Sequence, residues 1–157
     1  EITTRLVGSE MCIRDRLKSG YSGKCGLFDL SDGKQVIDFR YDDMILLGFN
    51  RALGKDGSRR YLLDTSTGDV IASLPPNIGA AHFNETPVTW IFRAKSYYGI
   101  IDEEGNILYE DAKDPLTGVT KFRHGFSGGQ KDNKKWGILK SDGTWLVHPT
   151  YDYIKLL

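Results

Sequence analysis

A chain of 157 residues with 21 basic and 21 acidic side chains carries no net charge at neutral pH. That balance removes the electrostatic case for nucleic acid or an anionic membrane as partner, and no apolar run approaches the roughly 18 residues of a membrane-spanning helix. Eighteen glycines and an aromatic content of 11%, with short apolar runs split by Gly turns, make an all-β composition.

In chain order the first sixteen residues stand apart. Leu6 to Asp15 can be written as the codons CTC GTG GGC TCG GAG ATG TGT ATA AGA GAC, which resemble a translated sequencing adapter, and Glu1 to Arg5 fit its upstream part. Residues 1–16 are therefore set aside as one sets aside a tag and are expected to be disordered. Met11 is then no start codon and Cys12 no natural cysteine, so Cys25 is left alone and no disulfide or redox compartment follows. Removing the segment takes out three acids and three bases, and the net charge stays at zero. Residues 17–157 are expected to be a single repeat domain, cut at both ends.

From Cys25 onward a unit returns about every 38 residues. An aromatic or its substitute is followed by Gly, two apolar residues and a polar one, then a turn ending in Gly and a second apolar strand. The copies are Cys25-Gly26-Leu27-Phe28-Asp29 with Gly33, Arg60-Tyr61-Leu62-Leu63-Asp64 with Gly68, Tyr98-Gly99-Ile100-Ile101-Asp102 with Gly105, and Trp136-Gly137-Ile138-Leu139-Lys140 with Gly143. Four units are expected, approximately 21–57, 58–95, 96–133 and 134–157. Adjacent apolar residues on a strand face opposite sides, so the first strand of each unit is apolar on both faces, as inside a stack. The Gly turns predict hairpins with return strands Gln35–Phe39, Val70–Leu74, Ile107–Tyr109 and Trp145–His148. Tyr41-Asp42 and Tyr151-Asp152 then turn the chain toward a third strand, expected at Met44–Leu53, at Thr89–Arg93 and at Val119–Ser127. The second unit is the most degraded, with Pro75-Pro76 and a loop to Thr86. The fold expected is all-β: tandem antiparallel hairpin repeats stacked as a curved array or propeller-like sheet.

Trp136-Gly137-Ile138-Leu139, Gly143, Pro149 and Tyr151-Asp152 together resemble the bacterial WG (Trp-Gly) repeat. The first copy has Cys25 in the Trp place and lacks the Pro, but keeps Tyr41-Asp42. The third has Tyr98 for Trp and lacks the Tyr-Asp turn, and the second keeps only Asp64 and its turn. The resemblance implies tandem β repeats that mediate interactions. A physical role for Trp-Gly is that an aromatic of one unit covers the bare Gly of the next, which Cys25 could not do.

Candidate chemistry is sparse. His82, His124 and His148 have no second His or Cys at metal-ligand spacing. Cys25 is expected to be a buried thiol. Asp102 to Asn106 lacks the spacing of a calcium loop and is read as a hairpin turn. Asp42 and Asp152 occupy equivalent positions, which argues for a repeated turn role over acid–base work. Asn84-Glu85-Thr86 fits a glycosylation triplet, but Pro87 follows it. Lys131 to Lys135 is read as a solvated basic loop, and Gly125 to Gly129 lacks the Lys-Ser/Thr of a phosphate loop. No catalytic, cofactor-binding or metal-binding residue is assigned, and no cofactor is expected. The function expected is a non-catalytic module presenting a surface to a protein or glycan, with Tyr97 or Trp90 as contact aromatics if they are not used in the core. Two other readings stay open: an accessory region of a larger enzyme, and a structural spacer or cell-surface element. The compartment and the oligomeric state are left unassigned.

Overall fold

A computed structural model describes residues 11–12, 23–29, 31–85, 88–111 and 113–157, and these are strands and turns with no helix among them. Three antiparallel sheets of three, four and eight strands are present, and the eight-stranded one consists of two four-stranded units, described below as the third and fourth sheets. The first holds β1 (Met11–Cys12), β2 (Cys25–Asp29) and β3 (Lys34–Tyr41). The second is a four-stranded meander of β4 (Asp43–Gly48), β5 (Arg51–Asp56), β6 (Arg59–Asp64) and β7 (Val70–Leu74). The third runs through β8 (Ile78–Glu85), β9 (Val88–Ala94), β10 (Tyr97–Asp102) and β11 (Ile107–Tyr109). The fourth runs through β12 (Leu116–Val119), β13 (Phe126–Lys131), β14 (Trp136–Lys140) and β15 (Trp145–Tyr151). A single residue pair, Tyr98 with Leu116, links the third and fourth sheets. Met11 and Cys12 pair with Phe28 and Leu27; the rest of the segment expected to be disordered lies outside the described residues.

The expected third strands need correcting. Met44–Leu53 is two strands, β4 and β5, folded back at Phe49 and Asn50, which both take positive φ (52° and 55°). That pair of angles is the tight turn whose twist suits a hairpin. Val119–Ser127 is likewise broken, by His124 and Gly125 at φ 50° and 84°. Thr89–Arg93 does lie within one strand, β9. The stretch read as a loop before Thr86 contains β8, whose Gly79-Ala80-Ala81 gives no strand pattern but pairs along β9. Each full sheet therefore has four strands, and the sequence repeat starts at the third of them.

Sheets stack face to face through alternating residues of the third strand. Leu27 of the first sheet meets Leu63 of the second, in a cluster with Ile37, Tyr41, Met44 and Ala52. Leu62 meets Ile101 of the third, with Leu53, Trp90 and Phe92. Ile100 meets Leu139 of the fourth, with Ile91 and Leu116. Adjacent apolar residues thus serve two interfaces, and burial of each large side chain contributes about 1.5–3 kcal/mol.

One bulge recurs in all four hairpins, three residues after the turn Gly, leaving Val36, Ile71, Leu108 and Leu146 unpaired against the third strand. The next sheet's turn seats on Val36 and Leu108 and, in the second interface, one residue past the bulge at Ala72. A Cβ on Gly68 would lie 2.1 Å from the Val36 carbonyl oxygen, one on Gly105 2.4 Å from Ala72 Cβ, and one on Gly143 2.5 Å from the Leu108 carbonyl oxygen. The turn Gly is fixed by positive φ and by this close approach together.

Candidate functional site

Phe49 of the β4–β5 turn touches Phe83 of β8, which in turn borders the β12–β13 connection, and together they form a rim with exposed aromatic side chains. Phe49 opens the turn of the second sheet at φ 52°, a region that bulky side chains avoid. Its ring is 43% exposed and meets Phe83 of β8 edge-on at 5.9 Å and 65°, with Phe83 itself 51% exposed. Beside Phe83 an open cleft of about 630 Å³ lies between β8 and the β12–β13 connection. Its polar groups are His82, Asn84, Lys121 and His124, and its apolar ones include Phe83 and Phe122. Lys121 and His124 are exposed, and Asn84 is buried. The turn that presents His124 is closed by reciprocal backbone hydrogen bonds between Arg123 and Phe126 (2.7 and 2.9 Å). Burial, helped by the Lys121 charge, holds the His82 imidazole below its usual 6.5.

His82 and His124, 42 positions apart, are brought to one cleft that no sequence spacing announces. His148 lies elsewhere, on β15 against Trp145 at 6.4 Å. Among the described residues no group of three or more His, Cys, Asp or Glu could hold a metal ion. Cys25 is fully buried in the first interface, as expected.

Asp42 and Asp152 are not brought together. Asp42 accepts from Lys24 Nζ at 2.7 Å and from the Gly57 amide at 2.6 Å, and Asp152 accepts from Lys135 Nζ at 2.5 Å. Each ties its hairpin to the residue just before the aromatic-Gly pair, a turn-forming role. Asp102 accepts from the amides of Glu104 and Asn106 and from the Asn106 side chain, so it closes its own hairpin turn.

Lys131 corrects the solvated-loop reading. Its ammonium is buried over the rings of Tyr109 (5.5 Å) and Trp145 (5.9 Å), pairs with Asp114 at 3.1 Å and reaches the Asp114 carbonyl. Burial works against its charge, but Tyr109 and Asp114 prevail and hold its pKa above the usual value. Trp90, the contact candidate, is buried at the second interface, and Tyr97 is half-buried and donates to Glu110 at 2.7 Å. Phe49 and Phe83 were missed. Phe83 sits in a stretch with no strand pattern, and an aromatic in a tight turn contradicts turn chemistry; that contradiction was the available signal.

Residues 136–156 match the family described as WG containing repeat, which supports the resemblance drawn from Trp136-Gly137 and its companions. Among solved structures, the computationally designed Ika8 protein is similar, with a TM-score of 0.50 and 12% identity over 82% of this chain and 45% of that one. The likeness is one of fold, and the chain spans less than half of the designed protein's length. No curated protein matches the chain.

Proposed function

We propose that the chain is a non-catalytic repeat module whose rim of Phe49, Phe83, His82, Lys121 and His124 captures an apolar, acid-flanked segment of a protein partner. The observation that carries this reading is Phe49. A bulky side chain held at positive φ costs roughly 1–2 kcal/mol, and here its ring is spent on an exposed contact instead of the core. Such strain persists where a site needs it. The edge-on packing of Phe49 and Phe83 offers no flat platform for a sugar ring, which favours a protein over a glycan. Lys121 and the neighbouring Arg123, both exposed, complement acidic residues beside the apolar anchor.

The test is affinity enrichment from cell extracts, with a glycan array in parallel, on the wild type and on Phe49→Asn and Lys121→Glu. An enriched protein that binds the wild type directly and is lost from both variants is the expected result. Phe49→Asn should fold at least as well as the wild type, because Asn suits this turn. Glycan binding without protein binding would move the partner to the other class. Equal enrichment by all three proteins, or none by any, would sink the reading.

A further inference from the structure

The three internal interfaces are copies of one another, and each is built from two unlike halves. The receiving half is the back of a sheet: its bulge residue (Val36 or Leu108) or the residue next to it (Ala72 beside Ile71), and the first apolar residue of its third strand. The inserting half is the front of the next sheet: its turn Gly and the second apolar residue of its third strand. In the first interface Tyr41 adds to the receiving half, for a Cβ on Gly54 of the second sheet would lie 2.9 Å from the Tyr41 ring.

Both unlike halves reach the two ends of the described stack, the receiving one partly covered by Ile154, whose side chain lies against Gly128 beside Ile138. On the fourth sheet the bulge residue Leu146 is 55% exposed, Tyr151, the counterpart of Tyr41, is 54% exposed, and Ile138 is half-buried. On the first sheet a Cβ at Gly33 would meet nothing within 4 Å among the described residues, against 2.1–2.5 Å at the three other turn glycines. Phe28, in the inserting position, packs only half-buried against Phe39, itself 45% exposed.

From this we infer that the back of the fourth sheet docks the front of the first sheet of a second copy of this chain, head to tail, with the Gly33 turn seated on the Leu146 bulge. The occupant is fixed by continuity: the surface repeats an interface the chain already makes three times with its own sheets, and the second copy carries the matching half. A contact between unlike surfaces leaves a free half at each end of a pair, which further copies fill until the rotation closes a ring or the array runs on as an open chain. The rim cleft lies elsewhere, so this assembly stands independently of the partner capture proposed above.

The experiment is sedimentation equilibrium of the full chain over the micromolar to millimolar range, on the wild type, Leu146→Lys, Phe39→Lys and their equimolar mixture. The wild type is expected to rise above its 17.6 kDa monomer mass with concentration. Each variant alone should stay monomeric with an unchanged circular dichroism spectrum, since Leu146 and Phe39 are exposed. The mixture should form a dimer, because each variant keeps the half that the other lacks. Phe39→Lys remaining dimeric alone would show a symmetric back-to-back contact and overturn the head-to-tail pairing. A wild type that stays monomeric throughout would overturn the inference altogether. Lys121→Glu should assemble like the wild type, which separates failure here from failure of the rim reading.

Discussion

At the scale of single residues, the Gly of the Trp-Gly pair is fixed by its own hairpin. A Cβ on Gly137 would lie 2.4 Å from the Val147 carbonyl oxygen and 2.8 Å from the Pro149 nitrogen, and one on Gly26 2.7 Å from the Ile37 carbonyl oxygen. The return strand bulges there, with Cys25–Leu27 facing Tyr41–Ile37 and Trp136–Ile138 facing Tyr151–Val147. In the second unit the strand runs regularly past the equivalent position, and Tyr61 replaces Gly. The aromatic expected to cover this Gly from another unit is thus displaced by backbone, although Phe92 of the paired strand does press on Gly99. Gly137→Val should cost about 2–4 kcal/mol in denaturant unfolding, because backbone and not a flexible side chain must shift. Gly79→Ala, whose Cβ meets only an oxygen at 3.9 Å, should change stability by less than about 0.5 kcal/mol. Lys131→Ala should cost about 1–2 kcal/mol, chiefly from the lost contacts over Tyr109 and Trp145, since the Asp114 carboxylate it leaves behind is itself exposed.

Elements are held by carboxylates that fold the turns onto themselves. Asp29 accepts from the Ser31 amide and hydroxyl, Asp64 from those of Ser66, and in the fourth hairpin, where Lys140 takes the place, Asp142 accepts from Thr144. These bonds hold the Asp29, Asp64 and Asp142 carboxyls below the usual 3.8, with Ser31, Ser66 and Thr144 as the first cause in turn. Their stabilisation is present above the unfolded value and is lost as pH falls through the lower folded-state values. His82 acts in the same direction at higher pH, since its depressed pKa favours the neutral form and its stabilisation is lost as pH falls below about 6.5. Denaturation midpoints should therefore drop in two stages, one below pH 6.5 and one below 3.8. His82→Phe should flatten the first stage and Asp64→Asn should shrink the second. Asp64 also binds Arg51 at 3.2 Å, whose Nε donates to the Glu103 carbonyl of the third sheet at 3.0 Å.

For the whole molecule, stability resides between sheets. Trp90 is the largest fully buried side chain and sits in the second interface, yet its indole nitrogen has no hydrogen-bond partner among the described residues. Trp90→Ala should cost about 3–5 kcal/mol by cavity formation. Trp90→Phe should cost much less, because it also removes a buried N–H left unpaired. If the sheets unfold as one cooperative stack, Trp90→Ala will shift the far-ultraviolet and tryptophan-fluorescence transitions together. Separated transitions would show sheets melting singly.

The period of the units, the all-β class, the hairpins at Gly33, Gly68, Gly105 and Gly143, and the burial of Cys25 were legible in the chain, because they depend on local turn chemistry and on two apolar neighbours pointing to opposite faces. The four-stranded form of the sheets was not. At Phe49-Asn50 the glycine, Gly48, stands before the two central turn residues and not at either of them, and β8 offers no alternation, so both strands exist through pairing with a neighbour. The rim cleft was equally hidden, since His82 and His124 meet only after two sheets stack. Sequence sets what a residue can do within its own hairpin; the stack decides which distant residues share a surface, because that depends on how bulge and turn lock one sheet onto the next.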